Sequence, residues 1–130
     1  PGAGAPAGAQ APRARPAPPP PNTGVALSAS LFGRGSGYAG VVIDPPAGML
    51  CYMLNTVVDA PTMAHIHAGG PGATGAPVVT LATPAAGASG GCAPIAADLA
   101  RKILANPGGY YVNVHTAAQP GGAVRGQLGK

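Results

Sequence analysis

Tryptophan and glutamate are absent from this chain of 130 residues, phenylalanine occurs once, and three acidic side chains stand against seven basic ones. Without glutamate, acid/base hydrolysis by paired carboxylates would have to recruit two of Asp44, Asp59 and Asp98. The two cysteines, Cys51 and Cys92, lie far apart, with neither a CxxC pair nor a third thiol for a zinc site. No apolar run approaches the roughly 18–20 residues that a helical bilayer span requires, so no transmembrane segment is predicted. Nor is there a cluster of basic residues interleaved with aromatics, which speaks against nucleic acid as a partner. The Gly-x-Ser-x-Gly elbow of serine hydrolases, the phosphate-binding loop with its lysine and the dinucleotide fingerprint are all missing. Glycine-rich residues 69–75 lack a following helix and read as a turn, not a nucleotide cradle.

What the chain does have is glycine, 22 residues, and proline, 17. Both disfavour helix interiors, which speaks against a helical bundle. The length leaves room for one domain with a modest, alanine-diluted core. Residues 1–21 hold eight prolines, seven alanines and three glycines. Such a stretch buries no hydrophobic face, and its four consecutive prolines, 18–21, favour polyproline II. We read residues 1–21 as an extended arm that docks on a protein partner or a second copy of the chain, and residues 22–130 as the folded domain. Half of the net charge of +4 sits on the arm, as Arg13 and Arg15. The first residue is Pro1 and not methionine, so the chain reads as a processed or trimmed product from which any export signal has been removed. The cysteines suit the same extracytoplasmic setting. A disulfide is their simplest reading and would add about 3–4 kcal/mol in the chain-entropy model; two buried free thiols are the alternative.

From residue 22 onward the pattern is β. Val25, Leu27, Ala29 and Leu31 alternate with small or polar residues, and residues 38–43 give a second strand that ends at Asp44-Pro45-Pro46. Residues 49–55 form a third, with Met49, Cys51 and Met53 on one face. Further strands fit residues 64–67, 78–81, 110–115 and 124–128, separated by glycine-rich turns. About seven short strands at this spacing predict an all-β fold, an antiparallel, Greek-key-like sandwich or flattened barrel. One short helix is expected, with Pro94 at its first position, Ile95, Leu99 and Ile103 on one face, Asp98 paired with Lys102, and a stop at Asn106-Pro107-Gly108. It would cover one end of the sandwich.

The chain has three histidines. His65 and His67 flank Ile66, so in a strand both imidazoles share one face while Ile66 turns to the core. In residues 110–115, Val112 and Val114 make the apolar face and Tyr111, Asn113 and His115 the other. If the two strands are neighbours, three imidazoles converge. Three neutral imidazoles suit copper or zinc. The competing reading makes them hydrogen-bonded supports for glycine loops, or a pH-sensitive patch. Arg125 and Gln127 share the polar face of residues 124–128. Arg125 either steers an anion or ties down a loop carbonyl. Asp59 is a candidate acceptor behind a metal-bound imidazole, or simply a turn residue.

These residues also carry a resemblance. Ala64-His65-Ile66-His67-Ala68-Gly69, followed by a glycine turn and Pro77-Val78-Val79, resembles the first signature of the CHRD domain, named after chordin. Tyr111-Val112-Asn113-Val114-His115-Thr116 and then Pro120-Gly121-Gly122-Ala123-Val124-Arg125-Gly126-Gln127-Leu128 resemble the second. The likeness spans residues 24–128 and implies an extracellular β-sandwich module with no established general activity. Cys51 and Cys92 stand where secreted bacterial members look similar, which favours the disulfide. Residues 31–37 replace the Asn-Glu-Val-Pro-Pro-like loop common in that family, so whatever that loop does is not carried over. The His-x-His pair with a later histidine is also similar to Cu,Zn superoxide dismutase, and His65, His67 and His115 look like three of its four copper ligands. The bridging histidine and the zinc set have no counterpart, which rules out a zinc-bridged enzyme and leaves a copper-only variant open.

Two functions follow as expectations. The first is an exported, non-enzymatic binding or assembly module, with no catalytic residues, whose arm docks on a neighbouring subunit or envelope complex. The second is a copper-binding protein, a carrier or a dismutase-like redox enzyme, that uses His65, His67 and His115 with Asn113, Arg125, Gln127 and Asp59 in support.

Overall fold

Alternation of apolar with small or polar side chains lets an extended segment bury every second residue. The computed structural model, which describes residues 23–130, folds these segments into eight strands. They are β1 (Val25–Gly33), β2 (Gly35–Asp44), β3 (Met49–Val57), β4 (Pro61–Ala68), β5 (Pro77–Leu81), β6 (Ala88–Pro94), β7 (Tyr110–Thr116) and β8 (Val124–Gln127). A helix, α1 (Ala97–Ala105), and a 3-10 turn at Pro107–Gly109 lie between β6 and β7. The core is aliphatic: Leu27 and Leu31 from β1, Val41 and Ile43 from β2, Leu50 and Leu54 from β3, Ile66 from β4 and Val112 and Val114 from β7 all point inward.

The strands make one sheet in the order β5-β4-β7-β8-β1-β2-β3-β6, with every neighbouring pair antiparallel. Its two ends come together, so the sheet is a nearly closed barrel. Near the seam, the Ser89 hydroxyl donates to the Ala82 carbonyl (2.7 Å), and the Ala82 amide donates to the Tyr52 hydroxyl (2.7 Å). These bonds use polar groups that an open edge would leave unpaired. Ala100 and Ile103 of α1 are buried together with Ile95. After β3 the chain crosses to β4 instead of pairing the two. This crossover sets β4, β7 and β8 side by side, the arrangement on which the candidate site depends.

The all-β architecture, the single short helix and the strands expected from alternation are present. Four details differ. β6 is an additional strand, hidden in the sequence because Gly90 and Gly91 interrupt any apolar alternation. Pro94 ends β6, and the helix starts three residues later at Ala97. Within that helix Asp98 meets Arg101 at 3.6 Å, not Lys102, and both partners are largely exposed. Residues 31–37 are not a loop: β1 and β2 form a continuous hairpin in which Gly33 opposes Gly35, with Arg34 at the tip. Cys51 of β3 and Cys92 of β6 stand opposite each other in register and form a disulfide. The proline-rich arm, residues 1–21, lies outside the described residues. Among the described residues no helix is long and apolar enough to cross a membrane.

Candidate metal centre

On β4, inward Ala64 and Ile66 leave His65 and His67 on the outside of the barrel. On β7, inward Val112 and Val114 do the same for Tyr111, Asn113 and His115. The two strands are paired, with Met63 opposite His115, His65 opposite Asn113 and His67 opposite Tyr111. β8 then sets Arg125 beside Asn113 and Gln127 beside Tyr111. Adjacency, which the sequence left open, is therefore met. The three imidazoles each offer a nitrogen within 4.8 Å of the others, and their ring centroids are 5.1–5.5 Å apart.

Although this face is external, His67, Asn113 and His115 are buried and His65 is half-buried. Two loops cover it. In residues 69–76, between β4 and β5, the Gly75 carbonyl lies 2.9 Å from His67 Nδ1, and the Gly75 amide donates to the Tyr111 hydroxyl (3.1 Å). In residues 117–123, between β7 and β8, the Pro120 carbonyl lies 2.9 Å from His115 Nδ1. There the Asn113 side-chain amide donates to the Gly121 carbonyl (3.1 Å). Close approach at both loops needs glycine. A Cβ at Gly75 would fall 1.4 Å from the Ala68 carbonyl oxygen. One at Gly122, where φ is +128°, would fall 2.1 Å from Asn113 Oδ1.

Those carbonyls decide where the protons are. A carbonyl only accepts, so Nδ1 of His67 and of His115 must be the N–H, and in each neutral ring Nε2 carries the lone pair. His67 Nε2 is buried and has no hydrogen-bond partner among the described residues. His115 Nε2 lies 3.1 Å from His65 Nδ1. Hydrogen bonding of Nδ1 to a carbonyl is also how metal-binding histidines are oriented. Protonation of His65 is disfavoured: burial, then the neighbouring charge of His115 and of His67, hold it below the usual imidazole range. An unpartnered buried lone pair costs free energy, on the order of 1–3 kcal/mol, and a bound cation would relieve that cost. The donor set thus fits a late transition metal such as copper or zinc.

A family model described as the CHRD domain matches residues 9–128, nearly the whole chain. The chain belongs to the CHRD family. No curated protein and no solved structure matches it.

In this CHRD domain the two signature stretches are neighbouring strands with their covering loops, and the supporting residues divide clearly. The Arg125 guanidinium donates to the carbonyls of Ala73 (2.7 Å) and Gly70 (3.2 Å) and to Gln127 Oε1 (3.0 Å). Gln127 in turn donates to the carbonyls of Gly69, Gly108 and Tyr110. Arg125 therefore ties down the loop, the second of the two roles expected for it. Asp59 sits elsewhere, exposed on the turn between β3 and β4 and lining a shallow groove with Arg34 and Gln119. The acceptors behind the imidazoles are main-chain carbonyls, not Asp59.

Tyr111 matters more than its sequence suggested. Its ring stacks on His67 with centroids 4.9 Å apart and planes 8° from parallel. The Arg125 guanidinium carbon lies 3.4 Å from the ring centre on a further contact of cation–π type. Shared parity with Asn113 and His115 was the available signal for Tyr111. The Gly75 and Pro120 carbonyls left none beyond glycine-rich loops.

Proposed function

We propose that this CHRD domain is an exported module that holds a copper ion through His65, His67 and His115. One observation carries the reading: two of the three imidazoles are locked by carbonyls into the tautomer that presents a bare Nε2, and one of those lone pairs is buried without a partner. Residues that hold Nδ1 protons, stack the His67 ring and exclude water on one side are already in position. The half-buried edge of His65 leaves an approach for the ion. Copper bound there is cargo or a one-electron centre. The engagement of Arg125 with loop carbonyls favours the carrier role over a dismutase that draws in an anion. Export is supported by the Cys51–Cys92 bond, which persists in oxidising compartments.

Copper titration of the metal-free full chain, with metal content measured by mass spectrometry, tests this. One equivalent should bind, and His115→Ala or His67→Ala should weaken binding by about 100-fold, the upper range for damage to a metal's surroundings. Full copper retention by both variants overturns it. Assembly through residues 1–21 is a second reading, favoured by their eight prolines and lack of any apolar face. Deleting them should leave the domain folded and lower the assembly state in light scattering; an unchanged state refutes docking by the arm.

A further inference from the structure

The three histidines are not the only donors on that patch of β4. Met63 lies two residues before His65, on the same outer face, and stands opposite His115 in the β4–β7 ladder. Directly opposed side chains in an antiparallel pair start from Cβ atoms about 4.5–5.5 Å apart. The ladder register shifts between Pro61 and Met63, and irregularities of this kind re-aim side chains beside functional sites. Within the shift, the Thr62 hydroxyl donates to the His115 carbonyl (3.2 Å), which pins the two strands together there. Met63 is 50% exposed, so its long, flexible side chain is not held in the core.

Resting on the copper reading, we infer that the Met63 thioether is the fourth donor of the site and makes it selective for Cu(I). A thioether is a soft ligand that matches Cu(I) and adds little for Zn(II) or Cu(II). The charge balance points the same way. Three neutral imidazoles and a thioether bring no negative charge, and Asp59, the nearest acid along the chain, is exposed in a groove against Thr116 and Gln119 and is not among the donors that meet at the cluster. A partly buried site with no anionic ligand holds a singly charged ion at lower desolvation cost than a doubly charged one. The four residues come from one strand pair, β4 and β7.

Met63→Leu in the full chain tests the inference, since leucine keeps the volume and removes only the sulfur. Cu(I) affinity, read by competition with a chromogenic Cu(I) chelator under ascorbate, should fall about tenfold, as for the loss of one weak ligand. Cu(II) affinity should stay within about twofold of wild type, so the Cu(II)/Cu(I) potential drops by about 59 mV, the one-electron equivalent of tenfold. A sulfur neighbour in the X-ray absorption spectrum of the Cu(I) form should vanish in the variant. Equal Cu(I) affinity in both proteins, with copper still bound, overturns the role of Met63 alone. A wild-type chain that binds neither oxidation state overturns the three-histidine reading and this inference together.

Discussion

Two outer faces of the same barrel are treated in opposite ways. Around the histidines on β4, β7 and β8 the outward residues other than Met63 are polar or aromatic and yet buried or half-buried: Tyr111 is 2% exposed and Asn113 3%. Across β1, β2 and β3 the outward residues are apolar and yet open: Tyr38 is 46% exposed and Met53 48%, and they border a groove of about 530 Å³. Burial by hydrophobicity alone would give the reverse. Covering loops are laid over the polar face, where side-chain hydrogen bonds to their carbonyls hold them. Burying polar groups is costly unless they are hydrogen-bonded, and on this face the loop carbonyls supply the partners. The open face shows that an apolar strand surface by itself recruits no cover.

The largest expected effect falls on the open side. Replacing Cys51 and Cys92 with alanine should lower stability by about 3–4 kcal/mol, measured as a lower denaturant midpoint with a steeper slope, because the unlinked unfolded chain exposes more surface. Copper binding should survive, because the bond links β3 to β6 and not the site strands. Matched glycine substitutions sharpen the contrast. Gly122→Ala forces a left-handed backbone and a collision with Asn113, for a loss of about 2–3 kcal/mol. Gly40→Ala meets only side-chain atoms in ordinary contact, of Met53 at 3.4 Å and Tyr38 at 4.0 Å, and should change stability by no more than about 0.5 kcal/mol. Equal losses at the two positions would dissolve the distinction between the faces.

Arg125→Lys keeps the charge and removes the planar fork, so loop residues 69–76 lose two carbonyl contacts and the stack on Tyr111. A loss of about 1–2 kcal/mol is expected, with faster amide hydrogen exchange in that loop. The pH effect is the smallest. The folded protein holds His65 below its ordinary value of 6.5 by burial, then by His115 and His67. As pH falls below 6.5 the unfolded chain takes up the proton first. The stability that neutral His65 contributes is therefore complete above that pH and is lost as pH falls toward the lowered folded value. Denaturation of metal-free protein from pH 8 to pH 5 should show this decline, roughly across the titration range of imidazole. His65→Gln should flatten it; an identical slope in both would place the sensitivity elsewhere.

Much of this was readable in the residues. Leu27, Ala29 and Leu31 can bury themselves together only on a strand, though Val25 at its start stays exposed, and Asp44-Pro45-Pro46 can only end one. β6 was unreadable for the converse reason: Gly90 and Gly91 offer no side chain to alternate, and the strand exists because β3 supplies its hydrogen bonds. Pro94 fits a first helical position and a strand end equally well, and only the pairing of Met49 with Pro94 decides between them. For the site, parity put His65 with His67 and His115 with Tyr111 and Asn113, but parity is a property of one strand.

By itself, then, the sequence determined the class of fold, which face of each strand is polar, the family and the kinds of donor available. Those are local matters, set by side-chain alternation, turn chemistry and composition. Tertiary structure alone decided that β4 lies against β7, that Gly75 and Pro120 turn their carbonyls onto the imidazoles, and that Asp59 ends up elsewhere. The reason is physical: a metal centre needs lone pairs from residues 50 positions apart to meet within a few ångströms. Strand order and loop closure place them there, and neither is written in any single segment of the chain.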